Sequence, residues 1–297
     1  MPLLRFLLGF LGLVAPLIAA ESLEGFRWVN PLPKNADVAL KHQTFRSTAN
    51  KVDVGFVIAL PAGYDEPANR GRRYPVLYWL HGGRPGGETK SLNMFPTLKR
   101  AQETGALPPV IIVFPNGGRL SHYDHGDAKG EQAFLELIKH VDATWRTIPT
   151  AAGRAVEGMS QGGRAVGRYA FKHPELFCSA VAISGGNQRE KIISENKGRE
   201  SDALTLEDPK NNVFDAATAY AARKDRPVFK LMVLVGDQDE NMKGNVEWSA
   251  HLKRLGLEHV FITVPGVGHN ALQIYGKVGP QILAFHAENL RKAAGGK

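Results

Sequence analysis

Residues 155–173 read AVEGMSQGGRAVGRYAFKH, and this stretch decides the fold. A short strand pattern at 155–158 runs into Gly158-Met159-Ser160-Gln161-Gly162-Gly163, and helix-like spacing then continues to His173. A serine at such a strand-to-helix turn is forced into a crowded backbone conformation, and glycines two residues to either side let strand and helix pass closely. The hydroxyl of Ser160 is thereby pushed into a cleft, where a nucleophile is needed. Ser184, in the run AISGG, also follows a strand pattern but lacks the preceding glycine, so it reads as a strand-end serine.

Outward from this turn, continuous apolar runs at 75–80 (PVLYWL), 109–114 (PVIIVF), 180–183 and 229–235 alternate with helix-length stretches. Such runs are what strands covered on both faces require, and the alternation predicts a mostly parallel sheet. A last strand falls at 259–264. The first two strands, 42–47 and 52–60, are joined by only four residues and should pair antiparallel at the sheet edge. Helices are expected at 89–103, 130–145, 161–173, 245–255 and 278–292, so about eight strands carry helices on both faces. Residues 186–227 break the alternation with polar, irregular sequence, apart from a short helical piece at 215–223. They read as an insertion or lid over the sheet edge.

A serine hydroxyl is a weak nucleophile until a base takes its proton. In an order that ends with histidine, the base is His269, in the glycine-rich turn PGVGHN after the last strand. The acid that would orient it belongs after the preceding strand, where Gly236-Asp237-Gln238-Asp239-Glu240 offers three carboxylates. Asp239 is preferred. Asp237 is the alternative, with a turn-bracing role as its competing reading, and Glu240 stands third. Donors for a developing oxyanion are the backbone N–H of Gln161, next to the nucleophile, and that of Gly83 or its neighbour Arg84 in LHGGR. His81 in the same turn reads as structural. The loop NGGRLSHYDHG, residues 116–126, leaves its strand at the same sheet edge, so His122 and Tyr123 are candidates to line the substrate cleft. Glu131 reads as stabilising a helix start. No histidine, cysteine and carboxylate group has metal-ligand spacing, and neither metal nor cofactor is expected.

The 297 residues suffice for one large domain, and no linker divides them. With 43% hydrophobic and 22% charged residues the chain has a globular composition, which excludes a disordered or polytopic membrane protein. Its net charge of +8 comes from scattered Lys and Arg interleaved with acids, so nucleic acid is not an expected partner. Cys178, the single cysteine, sits in an apolar setting that suggests burial and not reactivity. Residues 1–20 carry Arg5, then an apolar stretch broken by Gly12 and Pro16, then small residues. They read as a secretory signal peptide cut near Ala20, leaving residues 21–297 as a single catalytic domain in the periplasm or outside the cell, with no membrane partner after cleavage.

Together YPVLYWLHGG, IIVFPNGG, EGMSQGGRAVGRYAFKHPELF, VGDQDE and VPGVGHN resemble the esterase-D-like family of feruloyl esterases, acetyl xylan esterases, S-formylglutathione hydrolases and mycolyltransferase-like proteins. The resemblance spans residues 51–294, with the serine, acid and histidine segments in the family's order. It implies an α/β-hydrolase fold and a serine esterase, a carboxylic ester hydrolase that works through an acyl-enzyme. Combined with the leader, it implies feruloyl or acetyl esters of plant polysaccharide, or similar small esters, as substrates. His122 stands where a tryptophan is common in the family's loop. An acyltransferase on the same scaffold and a non-catalytic carbohydrate-binding protein are the alternatives.

Overall fold

The computed structural model describes residues 25–187, 206, 208 and 210–295. The expected signal peptide and much of the expected insertion, namely 188–205, 207 and 209, lie outside the described residues. An eight-stranded sheet forms the centre, built from β1 (Leu40–Arg46), β2 (Asp53–Ala59), β3 (Val76–Leu80), β4 (Ile111–Pro115), β7 (Arg154–Met159), β8 (Ser179–Ile183), β9 (Lys230–Gly236) and β10 (Val260–Val264). A separate two-stranded ribbon, β5 (Asp124–His125) with β6 (Ala128–Lys129), was not legible as strands in the sequence. The sheet order is β1-β2-β4-β3-β7-β8-β9-β10. Strands β4, β3, β7, β8, β9 and β10 run parallel, while β2 is antiparallel to β4 and, as the short first connection required, to β1.

Alternation along the buried strands divides the core in two. Val76, Tyr78 and Leu80 face one cluster, while Leu77 and Trp79 face the other. The first cluster is closed by α2 (Gly130–Thr144), α3 (Gln161–Lys172), α4 (Val213–Ala221) and α5 (Met242–Arg254), and the second by α1 (Phe95–Glu103) and α6 (Ala271–Gly295). Both faces of the parallel strands are therefore dry, which is why their sequences are continuously apolar.

Two helices depart from expectation. The segment 89–103 is helical only from a short 3-10 turn, Leu92–Met94, into α1, whose first turn accepts Pro96 because an N–H there has no intrahelical partner. Helix α6 starts at Ala271, seven residues before the expected 278, although Gly276, Gly279 and Pro280 all argue against helix. Tertiary packing outweighs them: Ile274 and Tyr275 are buried in the second cluster, and the Tyr275 hydroxyl donates to Glu157 at 2.8 Å. No helix among the described residues is long and apolar enough to cross a membrane.

Candidate active site

The loops that leave the carboxyl ends of β3, β7, β8, β9 and β10 converge on one cleft of about 940 Å³, the place where open α/β sheets bind their ligands. Ser160 lies on its floor with φ 60° and ψ −118°, a region that non-glycine residues rarely occupy. Three features hold it there. Its amide donates to the Ile183 carbonyl at 2.9 Å, its carbonyl accepts from Arg164, and α3 begins at the next residue. The close approach requires the flanking glycines: a Cβ on Gly158 would sit 2.8 Å from the Leu80 carbonyl oxygen, and one on Gly162 would sit 2.1 Å from it.

His269 follows β10 and shares the cleft with Ser160. Its Nδ1 lies 3.1 and 3.0 Å from the two carboxylate oxygens of Asp239, which makes Nδ1–H the donor and leaves Nε2 as the basic nitrogen. Asp239 itself is buried. Burial works against its charge, but the hydrogen bond to His269, the Asn241 amide and the Ser184 hydroxyl outweigh it and hold the carboxyl below its usual range. The carboxylate thus stays ionised opposite the imidazole. Asp237 is exposed and accepts from the Gly266 amide at 2.7 Å, bracing the β10 turn, and Glu240 lines the cleft wall. Asp239 is thus the carboxylate that holds the His269 imidazole.

Gln161 and Gly83, the two expected oxyanion donors, both line the cleft. Gly82 passes so near the nucleophile that a Cβ on it would meet Ser160 Cβ at 3.1 Å. His81 is buried and neutral, because burial, reinforced by the Lys90 charge, drives its pKa down to about 3. Its Nε2 accepts from the Gly117 and Gly87 amides at 3.1 and 3.3 Å, so the proton sits on Nδ1, which donates to the Gly82 carbonyl. The structural reading of His81 therefore holds.

His122 and Tyr123 are not at the cleft. Both are fully buried, and neither contributes to the lining. Arg168 draws them in from α3: its guanidinium stacks 3.6 Å above the Tyr123 ring and donates to the His122 carbonyl at 2.6 Å. Loop aromatics read as surface residues until such a partner is known. Glu131 does begin α2, but its larger role is across helices, receiving Lys172 and His173 at 2.6 and 3.0 Å. Cys178 lies at the start of β8 with its thiol pushed up to about 11, chiefly by burial, so it is an inert group.

Residues missed from the sequence complete the walls. Trp79, Met94, Met159 and Ala271 belong to or pack on the second core cluster where it meets the cleft, and exposed Leu272 adds a further apolar group to the lining. Arg164, Asn187, Asn241, Lys243 and Glu247 form a polar side on α3, α5 and the loops next to them. Asn241 was the most accessible to reasoning, two residues past Asp239. Its amide donates to that carboxylate at 2.8 Å, and its side chain donates to the Ser184 carbonyl at 3.1 Å.

The sheet, its covering helices and the serine at the strand-to-helix turn define a protein of α/β-hydrolase architecture. The chain belongs to the Putative esterase family, which it matches over residues 47–256, a span that includes Ser160 and Asp239 and ends before His269. An esterase of Mycobacterium tuberculosis strain H37Rv is 33% identical over 156 residues, covering 50% of this chain and 33% of the relative, so the chain matches about a third of that protein's length. Among solved structures, a ferulic acid esterase superposes with a TM-score of 0.70 at 23% identity, over 84% of this chain and 98% of that one. An S-formylglutathione hydrolase from Staphylococcus aureus gives 0.66 at 17%, over 84% and 98%. The ferulic acid esterase of Anaeromyces mucronatus gives 0.61 at 19%, over 88% and 96%.

Proposed function

We propose that Ser160 attacks the ester carbonyl while His269 Nε2 takes its proton, with Asp239 holding the imidazole and the N–H groups of Gln161 and Gly83 receiving the oxyanion. The alcohol leaves with the proton from His269, and water then releases the acid from the acyl-enzyme by the reverse sequence. The observation that carries this reading is Ser160 held at positive φ in the same cleft as a histidine whose Nδ1 is committed to a buried carboxylate.

The two-sided cleft supports a substrate with an apolar or aromatic acyl group against Trp79, Met94 and Leu272, and a hydroxyl-rich alcohol against Asn187, Asn241 and Lys243. Feruloyl or acetyl esters of a polysaccharide, or small esters of like polarity, have that form. Two structural neighbours are ferulic acid esterases, which favours the feruloyl member. The leader-like residues 1–20 support a working enzyme outside the cytoplasm.

The test assays the exported protein, its N-terminus sequenced and expected at Glu21, on p-nitrophenyl acetate, p-nitrophenyl butyrate and methyl ferulate beside Ser160→Ala. Activity that vanishes in the variant, with methyl ferulate turned over fastest, is the expected result. Activity untouched by the substitution would remove Ser160 from the mechanism, and a chain retaining Met1 would remove the export reading.

A further inference from the structure

The loop at 116–124, which leaves β4 without reaching the cleft, is moulded against the oxyanion turn. His122 Nε2 donates to the His81 carbonyl at 2.9 Å, and the two imidazoles lie 4.6 Å apart. The Ser121 hydroxyl donates to the Gly83 carbonyl in a short bond. The Gly86 amide donates back to the Gly118 carbonyl at 2.9 Å, and the Gly117 amide donates to His81 Nε2. Ser121 and His122 adopt φ of 44° and 76°, a costly pair for non-glycine residues, and both are fully buried. The far end of the loop is fixed to α3, the helix that begins at the nucleophile: Arg168 and the Tyr169 hydroxyl both donate to the His122 carbonyl, at 2.6 and 2.8 Å.

Peptide planarity turns these bonds into a direction. Gly82 C=O and Gly83 N–H belong to one planar unit and point oppositely, so the His81 bond to the Gly82 carbonyl aims the Gly83 N–H the other way. The next unit, Gly83 C=O with Arg84 N–H, is set in the same manner by Ser121. Both peptide planes that meet at Gly83 are therefore held by side chains. Gly83, at φ 66°, would otherwise have the freedom of glycine.

We propose that Ser121 and His122 are positioning residues that fix the oxyanion donor at Gly83 and tie it, through Arg168 and Tyr169, to the helix carrying Ser160. This rests on the reading of Gly83 as an oxyanion donor. A donor is useful in proportion to how well it is aimed before the reaction begins, since the transition state gains nothing from a dipole that must first reorient. The strained backbone at 121–122 is explained in the same way: it places the imidazole on the His81 carbonyl and the hydroxyl on the Gly83 carbonyl, the peptides to either side of the one that carries the Gly83 N–H.

The experiment compares wild type with Ser121→Ala and Ser121→Gly. The glycine variant relieves the positive φ, so it keeps the chain folded if the alanine variant does not. On the fastest ester, kcat should fall about 10-fold or more in both, toward the loss seen when one oxyanion donor is removed, with KM within two-fold. A trifluoromethyl ketone, whose adduct with the serine carries the oxyanion, should lose affinity by the same factor, while inhibition by the free product acid stays unchanged. Unaltered kcat, or a loss of kcat with ketone affinity intact, would overturn the proposal. An inactive wild type would instead sink the esterase reading beneath it, so the two failures are told apart.

Discussion

Among the described residues two serine, histidine and carboxylate sets can be compared, one open to solvent and one buried. At the cleft, Ser160, His269 and Asp239 come together on three loops at the carboxyl ends of β7, β10 and β9. Inside the second core cluster, Ser179 Oγ lies 2.9 Å from His286 Nδ1, and His286 Nε2 lies 3.3 Å from Glu157 Oε2. The three buried side chains are within 1% of complete exclusion from solvent. In residue types the two sets are alike, a serine, a histidine and a carboxylate in each. They differ in three respects that chemistry needs: Ser179 sits in regular strand, its hydroxyl accepts from Asn289 while donating to His286, and no substrate can reach it. The histidines are also oppositely oriented. Nδ1 of His269 faces the acid, whereas Nδ1 of His286 faces the serine and its Nε2 faces the acid, too poorly aligned for a hydrogen bond. A triad is thus defined by access, strain and aimed donors around it, more than by composition.

The largest expected effect separates the two serines. Ser160→Ala should lower kcat by about 10⁶-fold with the fold intact, on the scale known for loss of a serine nucleophile. Ser179→Ala should leave kcat within about two-fold and act only on stability. Next comes the acid. Asp239→Asn keeps the shape but no longer enforces Nδ1–H on His269, and kcat should fall about 10⁴-fold, as it does when a triad aspartate elsewhere is made neutral. Asp237→Asn retains an oxygen for the Gly266 amide and should stay within two-fold. Comparable losses in the two variants would reopen the choice of acid.

Much of this was legible because local rules and tertiary context agree at the elbow. Gly158, Ser160 and Gly162 sit where strand, turn and helix each demand them, and the dry parallel strands announce themselves as apolar runs. His269 was found because a glycine-rich turn after the last strand has no competing structural use. What stayed hidden depends on partners distant in sequence. His122 and Tyr123 are buried by Arg168, which is 46 residues beyond His122, and that α3 arginine is not distinguishable in sequence from a surface residue. The start of α6 is hidden likewise, since Gly276 and Pro280 argue against helix and only the packing of Tyr275 on Glu157 decides for it.

That buried contact gives the next prediction. Glu157 accepts from the Tyr275 hydroxyl with both oxygens at 2.8 Å, and burial together with the adjacent carboxylate keeps the phenol protonated as the donor. Glu157→Leu leaves the Tyr275 hydroxyl without its acceptor in a dry core, and should cost about 1–3 kcal/mol in chemical denaturation. The folded fraction should keep its catalytic rate. Loss of kcat in fully folded Glu157→Leu would mean that the buried set supports the cleft through β7, and the contrast between the two sets would have to be redrawn.

The smallest effect concerns Glu131, a buried carboxylate with partners at the surface. Burial opposes its charge, but the His173 hydrogen bond and the Lys172 and Arg168 charges prevail and hold its pKa down to about 2, against 4.5 for the free side chain. A folded-state value below the unfolded one adds stability above the unfolded pKa and loses it as acid protonates the folded state. The full shift is an upper bound here, because Lys172 is 32% exposed and solvent screens the pair, so Glu131→Gln should cost only about 1–2 kcal/mol at pH 7. The difference between wild type and variant should be flat above about pH 5 and shrink steadily as pH falls from 4.5 toward 2. Catalysis should not change, since Glu131 lies on α2 and does not line the cleft. A stability difference that grew on acidification would show that the carboxylate is held neutral in the folded state, and that burial dominates over its surface partners.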